Sequence, residues 1–256
     1  MFLSRKGGVG LRKLENRTAI VTGASRGIGR AIALAFGHEG ANVVATARTT
    51  EAIEAVVDQL RRAGSDALAV TADLSVEADI QRIAAETLRR FGRIDILVNN
   101  AAIIHPPINL VDFEVDLWRR VLEVNLTGAA LMMKAVLPSM MENRFGKIIN
   151  ISSIGGRKGG RGRSAYRVTK AGLISLTESV AAEVKPYGID VNGICPGGVD
   201  TEGYREAFAS KGREGNPKLM RPEEIAELAV FLASDASSAI TGTSIDAFGG
   251  TNPLFG

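Results

Sequence analysis

The chain has 256 residues, 45% of them apolar and 23% charged, a balance that places it among globular proteins and excludes a disordered or fibrous one. Its 31 basic and 28 acidic residues leave a net charge of +3, too even a mixture to announce nucleic acid or a membrane as partner. A single cysteine, Cys195, excludes an intrachain disulfide framework and fits a reducing, cytoplasmic setting better than a secreted one.

Residues 1–14 carry Arg5, Lys6, Arg12 and Lys13 around a Gly-Gly-Val-Gly segment and read as a flexible basic tail, the alternative being a targeting peptide. A single domain would then occupy 15–256. From Thr18 onward, apolar stretches of strand length alternate with helix-length ones: strand 18–22, helix 26–38, strand 42–47, helix 50–63, strand 67–71. Strands near 94–99, 147–151 and 189–194 follow, separated by helices opening near Val76, Asp116 and Ser164, and the last strand is expected at 243–247. These strands are continuous runs of Val, Ile, Leu and Ala, the pattern of strands buried on both faces. With right-handed crossovers the expectation is an α/β, Rossmann-type doubly wound fold, a mostly parallel seven-stranded sheet with helices on both sides.

No apolar run approaches the ~18 residues that span a bilayer. The longest, 126–137, is broken by Lys134. The stretch 198–221, rich in Gly, Arg, Lys and Glu, interrupts the rhythm and reads as a mobile lid ahead of a helix opening at Pro222-Glu223-Glu224. Beyond Gly249-Gly250, the apolar end Pro253-Leu254-Phe255 offers a surface for another subunit.

The first strand runs into Thr22-Gly23-Ala24-Ser25-Arg26-Gly27-Ile28-Gly29, after which a helix begins. Glycines in that setting let backbone amides and a helix N-terminus approach a pyrophosphate, although a plain glycine turn is the bland alternative. The second strand ends Ala45-Thr46-Ala47-Arg48, without the acid that would bind the 2′-hydroxyl of NAD. Arg48 and Arg26 can instead flank the 2′-phosphate of NADP(H), or be solvated surface charges.

Tyr166 and Lys170 lie four apart on one face of a predicted helix. An ammonium near a phenol lowers its pKa, so such a Tyr can move a proton to or from an alcohol oxygen, but the pair alone arises readily by chance. Ser152-Ser153 ends the fifth strand, Asn99-Asn100-Ala101-Ala102 ends the fourth, and Asn125 follows on a helix. Carboxyl ends of strands in an open sheet are where active sites form.

From Thr18 to Gly250 these signatures, in this order, resemble the classical short-chain dehydrogenase/reductase family. The resemblance implies hydride transfer with Tyr166 as acid-base, Ser153 holding the carbonyl oxygen, Lys170 binding the ribose and lowering the Tyr pKa, and Asn125 holding a proton-relay water. It also implies cofactor contacts from Gly23, Ser25, Arg26, Gly27, Ile28, Gly29 and Arg48, from Asp73 and Leu74 at the adenine, and from Asn100 and Ala101, with Asn99 in the supporting turn. In Cys195-Pro196-Gly197-Gly198-Val199-Asp200-Thr201, the residues Pro196, Gly197, Val199 and Thr201 match the family's Pro-Gly motif, with Val199 and Thr201 on the carboxamide.

Two departures stand out: Ala102 replaces a glycine, and Ile245-Asp246-Ala247-Phe248-Gly249-Gly250 replaces the usual terminal motif. The closest look is of 3-oxoacyl-acyl-carrier-protein reductases. Arg144 matches one carrier-docking cation, whereas the second position holds Tyr187, with Lys185 nearby. The expected function is reduction of a carbonyl by NADPH, with a 3-oxoacyl thioester on acyl carrier protein or coenzyme A as first choice. Another ketone, sugar or secondary alcohol is the alternative, and a non-catalytic NADP-binding regulator the third reading.

A homotetramer or homodimer is expected, with Leu131, Met132, Met133, Val136 and Leu137 supplying either an interface or core. Arg157, Lys158, Arg161 and Arg163 form a basic loop that is either solvated or docks an anionic partner. Cys195 reads as an apolar filler, Trp118 as core, His38 as surface, and His105 as a candidate for the substrate mouth. Two histidines without an acid or Cys cluster leave no metal site.

Overall fold

The computed structural model describes residues 12–208 and 219–249. Most of the expected tail, the lid stretch 209–218 and the apolar C-terminal end lie outside the described residues.

Seven strands, β1 (Thr18–Thr22), β2 (Asn42–Ala47), β3 (Ala67–Thr71), β4 (Ile96–Asn99), β5 (Gly146–Ile151), β6 (Ile189–Pro196) and β7 (Ser244–Ala247), form one sheet. The order is β3-β2-β1-β4-β5-β6-β7, and every pairing is parallel. Alternate residues of each strand feed opposite layers. Ala19, Val21, Val43 and Val98 pack toward helices α1 (Gly27–His38), α2 (Thr50–Arg62) and α8 (Pro222–Ala233). Ile20, Val44, Leu97 and Ile148 pack toward α3 (Glu77–Phe91), α5 (Gly128–Asn143) and α6 (Ser164–Val184). Burial on both faces is why the central strands β1, β2, β4 and β5 are largely apolar. The chain winds outward from β1 in one direction and from β4 in the other, so a crevice opens where their carboxyl ends part.

The structure refines several sequence expectations. Of the stretch 1–14, Leu14 is fully buried in the core and Lys13 pairs with Glu39 at 3.8 Å, so these two residues are fixed to the domain. Asn125 lies in a π-turn, Glu123–Thr127, that joins α4 (Val115–Leu122) to α5 without a break. The resulting helical run, Val115–Asn143, has 29 residues and is long and apolar enough, by length and composition alone, to cross a membrane. Its Met132, Met133, Val136 and Met140 are buried against the sheet, which is the core alternative for the first three, while Leu131 and Leu137 are only half-buried. Finally, 198–221 is not irregular throughout. Thr201 caps the short helix α7 (Glu202–Ala207), and a bridge from Val199 to Met220 pins the base of the segment.

Candidate active site

A cavity of about 910 Å³ lies at the carboxyl ends of the central strands. Between β1 and α1 the chain turns on Gly23 with φ +64°, a left-handed conformation that suits glycine. A Cβ at Gly23 would also meet the Ala101 backbone at 2.8 Å. Thr22 Oγ1 accepts from the amides of Asn100 (2.9 Å) and Ala101 (3.1 Å) and donates to the Val98 carbonyl (3.1 Å). Asn100 Nδ2 donates back to the carbonyls of Thr22 and Gly23. These bonds stitch β1 to β4 and fix the glycine turn. No side chain caps α1, so its first amides face the turn without a side-chain acceptor, a cradle suited to a phosphate.

Gly29 lies beneath this cradle and not on the cavity wall, because a Cβ there would come within 2.3 Å of the Gly23 carbonyl oxygen and 2.4 Å of Asn100 Nδ2. Gly29→Ala is therefore expected to cost ~1–3 kcal/mol through overpacking. The urea midpoint should fall, while Gly159→Ala, whose Cβ has nothing within 4 Å, should leave it unchanged.

Gly23, Ser25, Arg26, Gly27, Ile28, Arg48, Asp73, Leu74, Asn100 and Ala101 all line the cavity, as do Pro196, Gly197, Val199 and Thr201. Arg48 is exposed at the end of β2, and Ala102 also lies on the wall. Burial disfavours the Asp73 carboxylate, but hydrogen bonds from Ser75 and Arg120 outweigh it and hold the group below the usual carboxylate range. Arg26 is paired in a fork: its Nη1 and Nη2 reach the two Glu206 carboxylate oxygens at 2.5 and 3.0 Å.

Ser153, Tyr166 and Lys170 meet at the other end of the same cavity. Ser153 follows β5, where its Oγ accepts from the Gly155 amide at 3.0 Å and favours the ionised form of the neighbouring Tyr166 hydroxyl. Lys170 is one turn beyond Tyr166 on α6, buried, and donates from Nζ to the Ile151 carbonyl at 2.7 Å. Ser152 fastens the helix to the strand by donating to the Lys170 carbonyl at 2.7 Å. Burial pushes the Lys170 ammonium down to about 8.

Burial pushes the Tyr166 phenol up, and the opposing influences are the neighbouring Ser153 and the charges of Arg163 and Arg167. Lys170 Nζ stands 5.7 Å from the Tyr166 ring centroid, and its own charge is disfavoured by the burial just described.

Asn125 is buried behind the wall. Its oxygen accepts from the Ile103 amide at 2.7 Å, and its Nδ2 donates to the Ile103 carbonyl at 3.1 Å and to Thr169 Oγ1 at 3.3 Å. The side chain thus fixes the loop after β4 against α6. Asn99 acts one layer back: its Nδ2 donates to Asn150 Oδ1 at 2.9 Å, and Asn150 donates to Thr177 on α6.

The basic loop is neither a free cationic patch nor a fully solvated segment. Arg157 donates to Asp246 at 2.9 Å and to the Ser244 carbonyl at 2.6 Å, which ties it to β7. Arg163 is buried, donates to the carbonyls of His105 and Ala207, and stacks over Phe208 at 4.1 Å. Arg144 donates to the Pro186 carbonyl at 2.9 Å, near Lys185 and Tyr187. These three precede β5 and β6 and so lie toward the amino ends of the strands, away from the cavity.

His105 does not line the mouth. It is buried edge-on to Phe113 with centroids 4.9 Å apart, and burial lowers its pKa. Trp118 is only partly buried, in the same small cluster. Cys195 is fully buried, with its thiol pKa raised by burial, and His38 is exposed. The described residues contain no group of three or more His, Cys, Asp or Glu able to hold a metal. Thr22, Arg120, Arg163 and Glu206 all shape the site without carrying a motif of their own. Thr22 opened the glycine-turn motif and Arg163 closed the basic loop, whereas Arg120 and Glu206 had no signal in the sequence.

Residues 17–212 match the family model of the short chain dehydrogenases. The chain is 40% identical over 243 residues to the 3-oxoacyl-[acyl-carrier-protein] reductase FabG of Escherichia coli (strain K12), covering 92% of this chain and 97% of that one. It is 38% identical over 255 residues to "Uncharacterized oxidoreductase YxjF" of Bacillus subtilis (strain 168), covering 93% and 98%. The solved structure of levodione reductase superposes with a TM-score of 0.85 at 32% identity, covering 93% of this chain and 98% of that one. The chain therefore belongs to the short-chain dehydrogenase family and is an oxidoreductase.

Proposed function

We propose that this protein is an NADP(H)-dependent ketoreductase that converts a carbonyl to a secondary alcohol, with a 3-oxoacyl thioester as substrate. The observation that carries the reading is the continuity of one cavity from the uncapped glycine turn to Ser153, Tyr166 and Lys170. The cofactor's residues fit. The turn offers amides for a pyrophosphate, and the end of β2 presents Arg48 and no acid to the adenosine ribose.

When bound, the nicotinamide supplies a hydride to the carbonyl carbon. Ser153 and Tyr166 hold the substrate oxygen, and Tyr166 gives it a proton. A phenol whose pKa is pushed above its ordinary value stays protonated at neutral pH, which suits the direction of reduction. Lys170 presents its remaining N–H donors to the nicotinamide ribose, while Asn125 positions the loop through Ile103. Ile104, Ile154, Phe208, Leu219 and Phe248 give the cavity an apolar side that accommodates an acyl chain. The similarity to FabG supports the thioester, and the similarity to levodione reductase supports a free ketone as the second reading.

Cofactor choice gives a test. Loss of a charge-assisted phosphate contact is worth ~1.5–3 kcal/mol, so Arg48→Ala should weaken NADPH roughly 10- to 150-fold and leave NADH within about twofold. Fluorescence titration of both cofactors checks this. Equal loss for both, or a wild-type preference for NADH, contradicts the NADP(H) assignment.

A further inference from the structure

The fork between Arg26 and Glu206 joins two parts of the chain that are far apart in sequence. Arg26 belongs to the glycine turn, Glu206 to α7, 180 positions later. Both oxygens of Glu206 are used, at 2.5 and 3.0 Å, and both residues line the cavity. Thr201, the cap of α7, lies over Gly27, where a Cβ would come within 3.1 Å of its methyl, so the N-terminus of α7 is held at the turn by packing. Glu202 adds a second negative charge near Arg26. One of the two guanidinium groups that the sequence offers to a 2′-phosphate, Arg26, is therefore already paired with a carboxylate of the same planar, two-pronged geometry.

We propose that Glu206 is a specificity-determining residue which competes with the 2′-phosphate of NADP(H) for Arg26. The inference rests on the NADP(H) reading above. With the pair intact, the phosphate gains less from Arg26 than a free guanidinium would give it. A cofactor lacking the phosphate has no stake in the pair, so the competition narrows the margin between NADPH and NADH. Both partners are more than half exposed, so the effect is bounded by the worth of a surface ion pair.

The test measures dissociation constants for NADPH and NADH by nicotinamide fluorescence in the wild type, Glu206→Gln, Arg26→Ala and the double variant. Glu206→Gln should tighten NADPH by about 1.5- to 5-fold and leave NADH unchanged. In the Arg26→Ala background the same change should have no effect on either cofactor, which separates competition for Arg26 from a general loss of negative charge. Unchanged or weaker NADPH binding in Glu206→Gln, with Arg26→Ala still selectively weakening NADPH, overturns the competition alone. The competition is likewise overturned if Glu206→Gln tightens NADPH equally with and without Arg26. If neither Arg26→Ala nor Arg48→Ala separates NADPH from NADH, the NADP(H) reading itself fails.

Discussion

Tyr166→Phe is expected to lower turnover by ~10² to 10⁴, the range that a positioned acid-base group contributes. The change removes one oxygen and leaves the ring in its place on α6, where Arg163 and Lys170 surround it without depending on the hydroxyl for their own hydrogen bonds. Cofactor affinity should therefore stay within a few-fold, and the melting temperature should hardly move. A fall in kcat with an unchanged NADPH dissociation constant is the signature of an interaction made in the transition state. Retention of more than about a tenth of wild-type turnover in a chemistry-limited assay would remove Tyr166 from the acid-base role.

Lys170→Met should act first on binding. The ammonium is buried, so its charged form is already disfavoured, and a methionine of similar length fills the space without that cost. The variant should keep or gain stability while losing the ribose contact, with NADPH weakened roughly 10- to 150-fold for one charge-assisted bond. The pH dependence follows from the same group. Below about 8 the free protein carries the charge that the ribose hydroxyls use, and above it the charge is lost. Wild-type affinity should therefore be flat at lower pH and fall as pH rises through about 8, whereas Lys170→Met should bind weakly with no such slope. Folding stability moves the other way. With the native value lowered from 10.5 to about 8, the unfolded chain binds more protons between these limits, so this group's contribution to stability rises with pH across that window. Parallel titrations of cofactor affinity and urea stability from pH 6.5 to about 9.5 check both signs.

The sheet was legible because its central strands are apolar runs buried on both faces, and the segments between them are of helix length. Boundaries moved where tertiary pairing decides them. β4 starts at Ile96 although Ile94 is equally apolar, and β6 runs on to Pro196 because β7 pairs with its end. The π-turn at Glu123–Thr127 had no local signal, since the bonds of Asn125 to Ile103 and Thr169 span more than twenty residues. The same holds for the site. The positions lining the cavity were readable from motif and spacing, because backbone turns and helical period place them. What holds them was not readable: Arg120 on Asp73, Arg163 between His105 and Ala207, and Glu206 on Arg26 are pairings of residues far apart in the chain. The basic loop shows the same limit, since its cations are adjacent in sequence but two of them turn inward to different partners.

Tracing the hydride tests the central claim most directly. The purified protein, incubated with each C4-deuterated epimer of NADPH and a panel of 3-oxoacyl thioesters and simple ketones, should return a 3-hydroxyacyl thioester. With one epimer alone that product should carry a single deuterium at the former carbonyl carbon, and under the same conditions the label should be almost absent with Tyr166→Phe. Absence of label from every carbonyl in the panel, despite firm NADPH binding, would contradict the account and leave a cofactor-binding regulator in its place.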